Sequence, residues 1–475
     1  MNSTRPNILF LFPDQHRHDW VGWNKSLPLR TPVLDKLADQ GTTFSKVVCN
    51  SPLCAPSRSC LAQGMNYRRS QTLDNADNTP LDRPLVYQHL REAGYRVASV
   101  GKVDLHKGTP EWHADGSSWL EEWGFTDGSD SPGKHAGVGN RAKGRPDPYI
   151  GYLEDRGLAE IHCNDLESRH NFTSTYPTPL PDEAYSDNWI AQNCIDVLSN
   201  IPVGQPWFMQ VNYTGPHEPM DVTESMHNRW ADVDFPLPDN CDIATDVDEM
   251  IKPGFEVDRF SIGKLDRDTH NKIRRNYASM IENIDNLNGR ILDLIESRGE
   301  LSNTLVVYSS DHGEMLGDHN DWEKFTYYHP SLCVPLVISG PGVKTGASSP
   351  ALTQLIDLTA TFLDYAAAEP LPEMDGVSLR PILEGDVEEV NDYVFSGLEN
   401  RGGSLSQGSS HKQCNFDLIW DGRYKLVTQA SKEPILFDLE DDPSESKNIA
   451  NSNPDITSHL LSKLTEELAR PLPSA

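Results

Sequence analysis

Four short apolar runs govern what this chain can become. Asn7–Phe12, Arg96–Val100, Trp207–Val211 and Thr304–Tyr308 are each five or six residues of strand composition. Unbroken runs of that length suit strands covered on both faces, as in a parallel sheet, rather than strands with one wet face. Each run leads into polar residues capable of chemistry: Asp14-Gln15, Gly101-Lys102, Gly215-Pro216-His217 and Asp311-His312. Helix-like stretches lie between the runs, at Thr31–Gln40, Leu85–Ala93, Ser186–Leu198 and Ile273–Arg298. The alternation predicts an α/β fold, a large mixed and mostly parallel sheet flanked by helices. In such open sheets ligands collect beyond the carboxyl ends of the strands, so the four polar clusters should converge on one site.

A break in composition at Ala366–Met374 follows a helix-like segment, Ala351–Tyr365, and sets an expected boundary between residues 1–370 and 371–475. In the second part, Phe416–Trp420, Asp421-Gly422 and Arg423–Val427 read as a hairpin with an Asp-Gly turn. With a terminal helix over Ile456–Leu468, this predicts a small antiparallel sheet plus helix. Residues 107–185 are rich in Gly, Pro, Asp and Trp with weak periodicity, and read as loops decorating the site.

Composition narrows the possible functions. The 475 residues, 37% of them hydrophobic and 24% charged, are enough for an enzyme-sized core. Acids outnumber bases by 71 to 41, a formal charge of −30, which disfavours nucleic acid and anionic membrane surfaces as partners. No apolar run approaches the roughly 18–20 residues that span a bilayer, and no basic-then-apolar leader follows Met1. Read from Met1, the protein is expected to stay in the cytoplasm. The cysteines at 49, 54, 60, 163, 194, 241, 333 and 414 are too scattered for a disulfide or zinc framework, and read as small buried hydrophobes. Cys54 is set apart by its neighbours.

Cys54 stands just before Pro56, which is tolerated in a first helical turn. It would then sit at a helix N-terminus, where free amides attract anions, with the forked donors of Arg58 one turn on. Cys54-Ala55-Pro56-Ser57-Arg58 resembles the Cys-x-Pro-Ser-Arg signature of the type I sulfatases of the alkaline phosphatase superfamily. The likeness extends through Arg5-Pro-Asn-Ile-Leu-Phe, Gly101-Lys102, Gly215-Pro-His217, Ser310-Asp311-His312-Gly313 and Leu436-Phe-Asp-Leu-Glu. It implies an alkaline phosphatase-like fold and an arylsulfatase-like sulfuric ester hydrolase. It also implies that a maturation enzyme oxidises Cys54 to formylglycine.

The same resemblance implies a metal site of Asp14, Gln15, Asp311 and His312 with position 54, and Ca²⁺ as the ion. Oxygen donors suit a hard cation. Family members commonly carry a second aspartate in place of Gln15 and asparagine in place of His312, so this site has fewer negative charges and leaves room for Mg²⁺ or Mn²⁺. Lys102 and Lys324 correspond to the sulfate-contacting lysines, and His217 to the histidine that protonates the leaving oxygen or contacts sulfate. A hydrated aldehyde is implied as the nucleophile toward sulfur, with Arg58, both lysines and the cation holding the sulfate oxygens. An unconverted Cys54 should be nearly inert toward sulfate esters.

Substrate contacts stay open at this stage. The family usually has histidine two residues after the lysine; here Asp104 stands there and His106 lies two further on, and either could face substrate. Asp318-His319 repeats the acid-histidine pair, so His319 is a further substrate-binding candidate. Lys134–Arg145 has four positive charges and no acid. Placed near Trp112, Trp119 and Trp123, its Arg141, Lys143 and Arg145 would offer charge to an anionic glycan. The expected function is hydrolysis of a sulfate ester, that of a sulfated saccharide ahead of a sulfated small molecule, through formylglycine made from Cys54. The alternatives are a phosphonate monoester or phosphodiester hydrolase of the same superfamily and a non-catalytic glycan-binding descendant.

Overall fold

A computed structural model describes residues 5–239, 265–399, 415–430 and 432–473. Eight strands, β1 (Asn7–Leu11), β2 (Gly41–Val48), β3 (Arg96–Gly101), β4 (Asp127–Asp130), β5 (Trp207–Asn212), β6 (Thr304–Tyr308), β7 (Leu336–Ser339) and β8 (Ala347–Gln354), form one sheet. Their order is β4-β3-β5-β1-β6-β7-β2-β8. The four apolar runs are therefore four adjacent strands, β3-β5-β1-β6, paired parallel throughout. Only β7 runs against the rest, antiparallel to both β6 and β2.

The unbroken hydrophobicity of β1 has a direct cause. Ile8 and Phe10 face a core shared with the helices Val86–Glu92 and Ile356–Ala366. Leu9 and Leu11 face a second core under the helices Pro32–Gln40, Ser186–Asn200 and Arg267–Ser297. Each such side chain, wholly removed from water, contributes about 1.5–3 kcal/mol. With both faces covered, a polar side chain needs a buried partner, as Gln210 of β5 has in the Tyr87 hydroxyl.

Two expectations need correction. Ala351–Gln354 is not helical: it completes β8, where Leu352–Gln354 pair with Lys46–Val48 of β2, and the helix starts at Ile356. The edge position of β8 tolerates Pro350, and the strand ladder overrides a helix-like composition. Residues 107–185 are also more than loops. They hold β4 and the helices Leu120–Trp123, Lys134–Ala142, Pro148–Glu154 and Ala159–Ser168. Asp147 caps one of these by accepting from Ile150 N at 2.9 Å, and Val138, Ile150, Leu153 and Leu166 join the second core.

A separate antiparallel sheet contains β9 (Val394–Glu399), β10 (Asn415–Trp420), β11 (Tyr424–Thr428) and β12 (Ile435–Asp438) in the order β12-β11-β10-β9. The hairpin turn at Asp421-Gly422-Arg423 is held by Asp421, whose carboxylate accepts from the amides of Arg423 and Tyr424. Alternation sorts the two faces. Leu418, Trp420, Val427 and Phe437 enter the first core, whereas Ile419, Leu426 and Leu436 lie under Leu460 and Leu464 of the last helix, Pro454–Leu468. The six described cysteines are buried and unpaired; Cys241 and Cys414 lie outside the described residues. Among the described residues no helix is long and apolar enough to cross a membrane.

Candidate active site

The parallel strands deliver their terminal residues to one place. Past β1, the Asp14 amide donates to Gly215 O at 3.1 Å, beyond the end of β5. Gln15 then turns in the left-handed region, φ 67°, and its amide donates to Asp311 Oδ1 at 3.0 Å, just beyond β6. The helix Cys54–Gln63 begins at the cysteine and is buried along its whole length. Asn75 Oδ1 accepts from Ala55 N at 3.0 Å, and Ser57 Oγ donates to Asp311 O at 2.6 Å, which ties this helix end to the β6 loop.

Asp14, Cys54, Asp311 and His312 each offer one ligand atom, all within 4.8 Å of one another and all buried. His312 Nδ1 lies 3.0 Å from Gly313 O and can donate to it only as N–H. Nε2 points at Cys54 Sγ (3.2 Å) and Asp14 Oδ1 (3.6 Å). Two carboxylates and an imidazole held in this orientation are a donor set that fits a divalent cation. The Gln15 side chain donates to Glu218 Oε2 at 2.9 Å and to Glu314, and accepts from Lys324.

Cations surround this cluster. Arg58 donates from Nε to Asp311 Oδ2 (2.9 Å), from Nη2 to Asp14 Oδ2 (3.3 Å), and from Nη1 to Lys102 O and Asn212 Oδ1. Lys102 reaches Asp14 Oδ2 and lies 3.7 Å from Cys54 Sγ. Burial opposes charge on Asp14, but its cationic neighbours, Lys102 before Arg58, outweigh it and hold the carboxyl well below the usual range. Burial and Asp14 push the Cys54 thiol up, yet Lys102, Lys324 and Lys107 together leave it well below its ordinary value. A cavity of about 260 Å³ opens over these groups, lined among others by Cys54, Lys102, Lys107, His217 and Lys324.

The sequence pattern that defines the Sulfatase family matches residues 6–368. The chain belongs to the sulfatase family. A second pattern, N-sulphoglucosamine sulphohydrolase, C-terminal, matches residues 317–471. Among relatives of this sulfatase, an arylsulfatase of Clostridium perfringens is 26% identical over 455 residues, 94% of this chain and 91% of the relative. An N-acetylglucosamine-6-O-sulfatase of Bacteroides thetaiotaomicron is 25% identical over 482 residues, 94% and 83% of the two chains. The crystal structure of a phosphonate monoester hydrolase of Agrobacterium radiobacter superposes with a TM-score of 0.82 at 24% identity, covering 98% and 96%. That likeness shows the alkaline phosphatase-like fold.

Other residues singled out in the sequence lie differently in this sulfatase. Arg58 does not line the cavity; its guanidinium is directed at carboxylates and backbone behind it. His106 is buried, with Nε2 2.8 Å from Asp130 Oδ2 and Nδ1 2.9 Å from Thr109 O, and Trp112, Trp119 and Trp123 pack around its ring. Trp112 and Trp123 are buried there, and Trp119 is half-buried. His319 stacks on Tyr328 with centroids 3.8 Å apart, outside the cavity wall. The basic stretch is largely the helix Lys134–Ala142: Lys134 lines the cavity with its Nζ 2.6 Å from Asp221 Oδ1, whereas Arg141 pairs with Glu154, Arg145 donates to Pro110 O, Lys143 is exposed, and these three do not line it. Asp104 lies between two ammonium groups, 3.4 Å from Lys102 Nζ and 2.8 Å from Lys107 Nζ. Sequence reasoning passed over Lys107, Asn75 and Glu218; no spacing rule brings them to the cavity, and only the strand order does.

Proposed function

We propose that this sulfatase hydrolyses sulfate esters, those of sulfated saccharides in particular, using formylglycine made from Cys54 and a Ca²⁺ ion held by Asp14, Asp311 and His312. One observation carries the reading: the buried donor set of Asp14, Cys54, Asp311 and His312 forms part of the site over which the ammonium-lined cavity opens. The sulfated amino sugar named for the Bacteroides relative supports a saccharide substrate. We assign catalysis to residues 1–370 and a supporting role to 371–475.

When present, the cation and the aldehyde supply a Lewis acid and an oxygen nucleophile at position 54. The protein's own residues do the rest. Lys102 and Lys324 bring ammonium groups to the cavity wall, where they hold the sulfo oxygens while the ester bond breaks. Arg58 bridges Asp14 and Asp311 and holds the two carboxylates side by side. His217 and Lys324, 2.6 Å apart, hold a proton next to the departing oxygen.

Turnover of an aryl sulfate, of defined sulfated saccharides and of a phenyl phosphonate ester is to be compared on protein whose conversion at position 54 has been verified by peptide mass spectrometry. Sulfate ester turnover at least about tenfold above phosphonate, abolished in Cys54→Ala, is the expected result. Preferential phosphonate cleavage would reassign the chain to the phosphonate hydrolases.

A further inference from the structure

We propose that Lys107 is a third ammonium of the sulfo-binding pocket, held there by Asp104, which clamps Lys102 and Lys107 side by side. The inference rests on the sulfatase reading for the identity of the ligand, and on geometry for the residue.

The loop after β3 is pinned from three directions. Val103 N donates to Asp130 Oδ1 at 3.0 Å, His106 binds the other oxygen of Asp130, and Thr79 N donates to Leu105 O at 2.8 Å. Asp130 ends β4, so the sheet itself fixes the loop. Asp104 lies in the left-handed region, φ 59°, a conformation that aspartate tolerates better than most residues. Its carboxylate is 1% exposed and shared between the two lysines.

Lys107 has 24% of its side chain exposed and lines the same cavity as Cys54, Lys102 and Lys324. An ammonium has three N–H donors, and the hydrogen bond seen here, to Asp104, uses one. The remaining donors suit an oxyanion with several acceptor oxygens. Because the loop is pinned and the ammonium tethered, little side-chain freedom is left to lose on binding. His106 does different work: buried among tryptophans, it positions the loop.

The test uses metal-loaded, formylglycine-containing enzyme and inorganic sulfate as the probe, with affinity read from calorimetry and from competition against an aryl sulfate. Lys107→Ala and Lys107→Met should each weaken sulfate binding about ten- to a hundredfold, the worth of one charge-assisted hydrogen bond. KM for the aryl sulfate should rise in parallel and melting temperature should stay unchanged. Lys107→Arg should restore most of the affinity, and Asp104→Asn should weaken sulfate binding through loss of the clamp. Unchanged affinity in both Lys107 variants, or no sulfate binding by wild-type enzyme, overturns the assignment. Failure of the sulfatase reading looks different: wild-type protein binds sulfate and cleaves no sulfate ester.

Discussion

Lys324 donates from Nζ to Nε2 of His217 across 2.6 Å. An ammonium has donors only, so Nε2 must accept, and the ring hydrogen sits on Nδ1, facing Glu218. In the proposed mechanism the transferable proton would then lie on Lys324, with His217 as its partner rather than as an independent acid. Replacing either residue with alanine should lower kcat/KM for alkyl sulfates by about 10²–10⁴. Nitrophenyl sulfates, whose leaving oxygen needs no proton, should suffer far less. The double variant should be no slower than the worse single one, because groups that act as a unit do not multiply. A leaving-group series on the three variants checks this; multiplicative losses would separate the two roles.

Arg58 is 1% exposed and bonded to two carboxylates that are wholly buried. Removing it strands both charges. Arg58→Ala should cost about 3–5 kcal/mol of stability in chelated protein. Adding a divalent cation should recover part of the loss by replacing the missing positive charge. Denaturant melts with and without Ca²⁺ give the comparison.

Asp285 accepts from Val33 N and Leu34 N at the start of the helix Pro32–Gln40, and burial raises its carboxyl from 3.8 to about 7 against those hydrogen bonds. A folded value above the unfolded one means the protonated form is favoured by folding. Its contribution is full below pH 3.8 and is lost as pH rises through about 7. Relative to Asp285→Asn, the wild type should therefore lose stability across that window, on the order of 4 kcal/mol at most. Paired urea titrations at pH 4 to 8 provide the measurement.

Lys425 and Glu445, each 1% exposed, form an ion pair between the small sheet and the segment after it, and Lys425 also donates to Tyr327 O at 2.6 Å. Glu445→Gln should destabilise the protein by about 3–5 kcal/mol, whereas Lys425→Met with Glu445→Gln should restore most of it. Equilibrium melts of the single and double variants decide the matter.

The sheet centre was readable because strands covered on both faces are mostly apolar, as β1, β3, β5 and β6 are, and their few central polar side chains bond one another, Gln210 and Ser99 to Asn212. β2 was not, since its exposed Ser45 breaks the run, and β8 carries helix-favouring alanine and leucine on an edge strand. The residues brought together at the site were legible as motifs. Their division of labour was not. Arg58 sits beside Cys54 in sequence, yet which anion it binds depends on Asp14 and Asp311, contributed by two other strands. The choice between Asp104 and His106 depends on Asp130, whose four-residue strand has no hydrophobic signature.

The inner face of the small sheet belongs to the same apolar core as β1 and the helix Ile356–Ala366. Cutting the chain after Pro370 would leave Tyr327, Tyr328 and His329 without the aromatic cover of Phe416, Phe437 and Trp420. The segment that holds none of the proposed chemistry is thus an obligate half of the folding unit, and a shortened version carrying every reactive residue would be an aggregating fragment rather than a minimal enzyme.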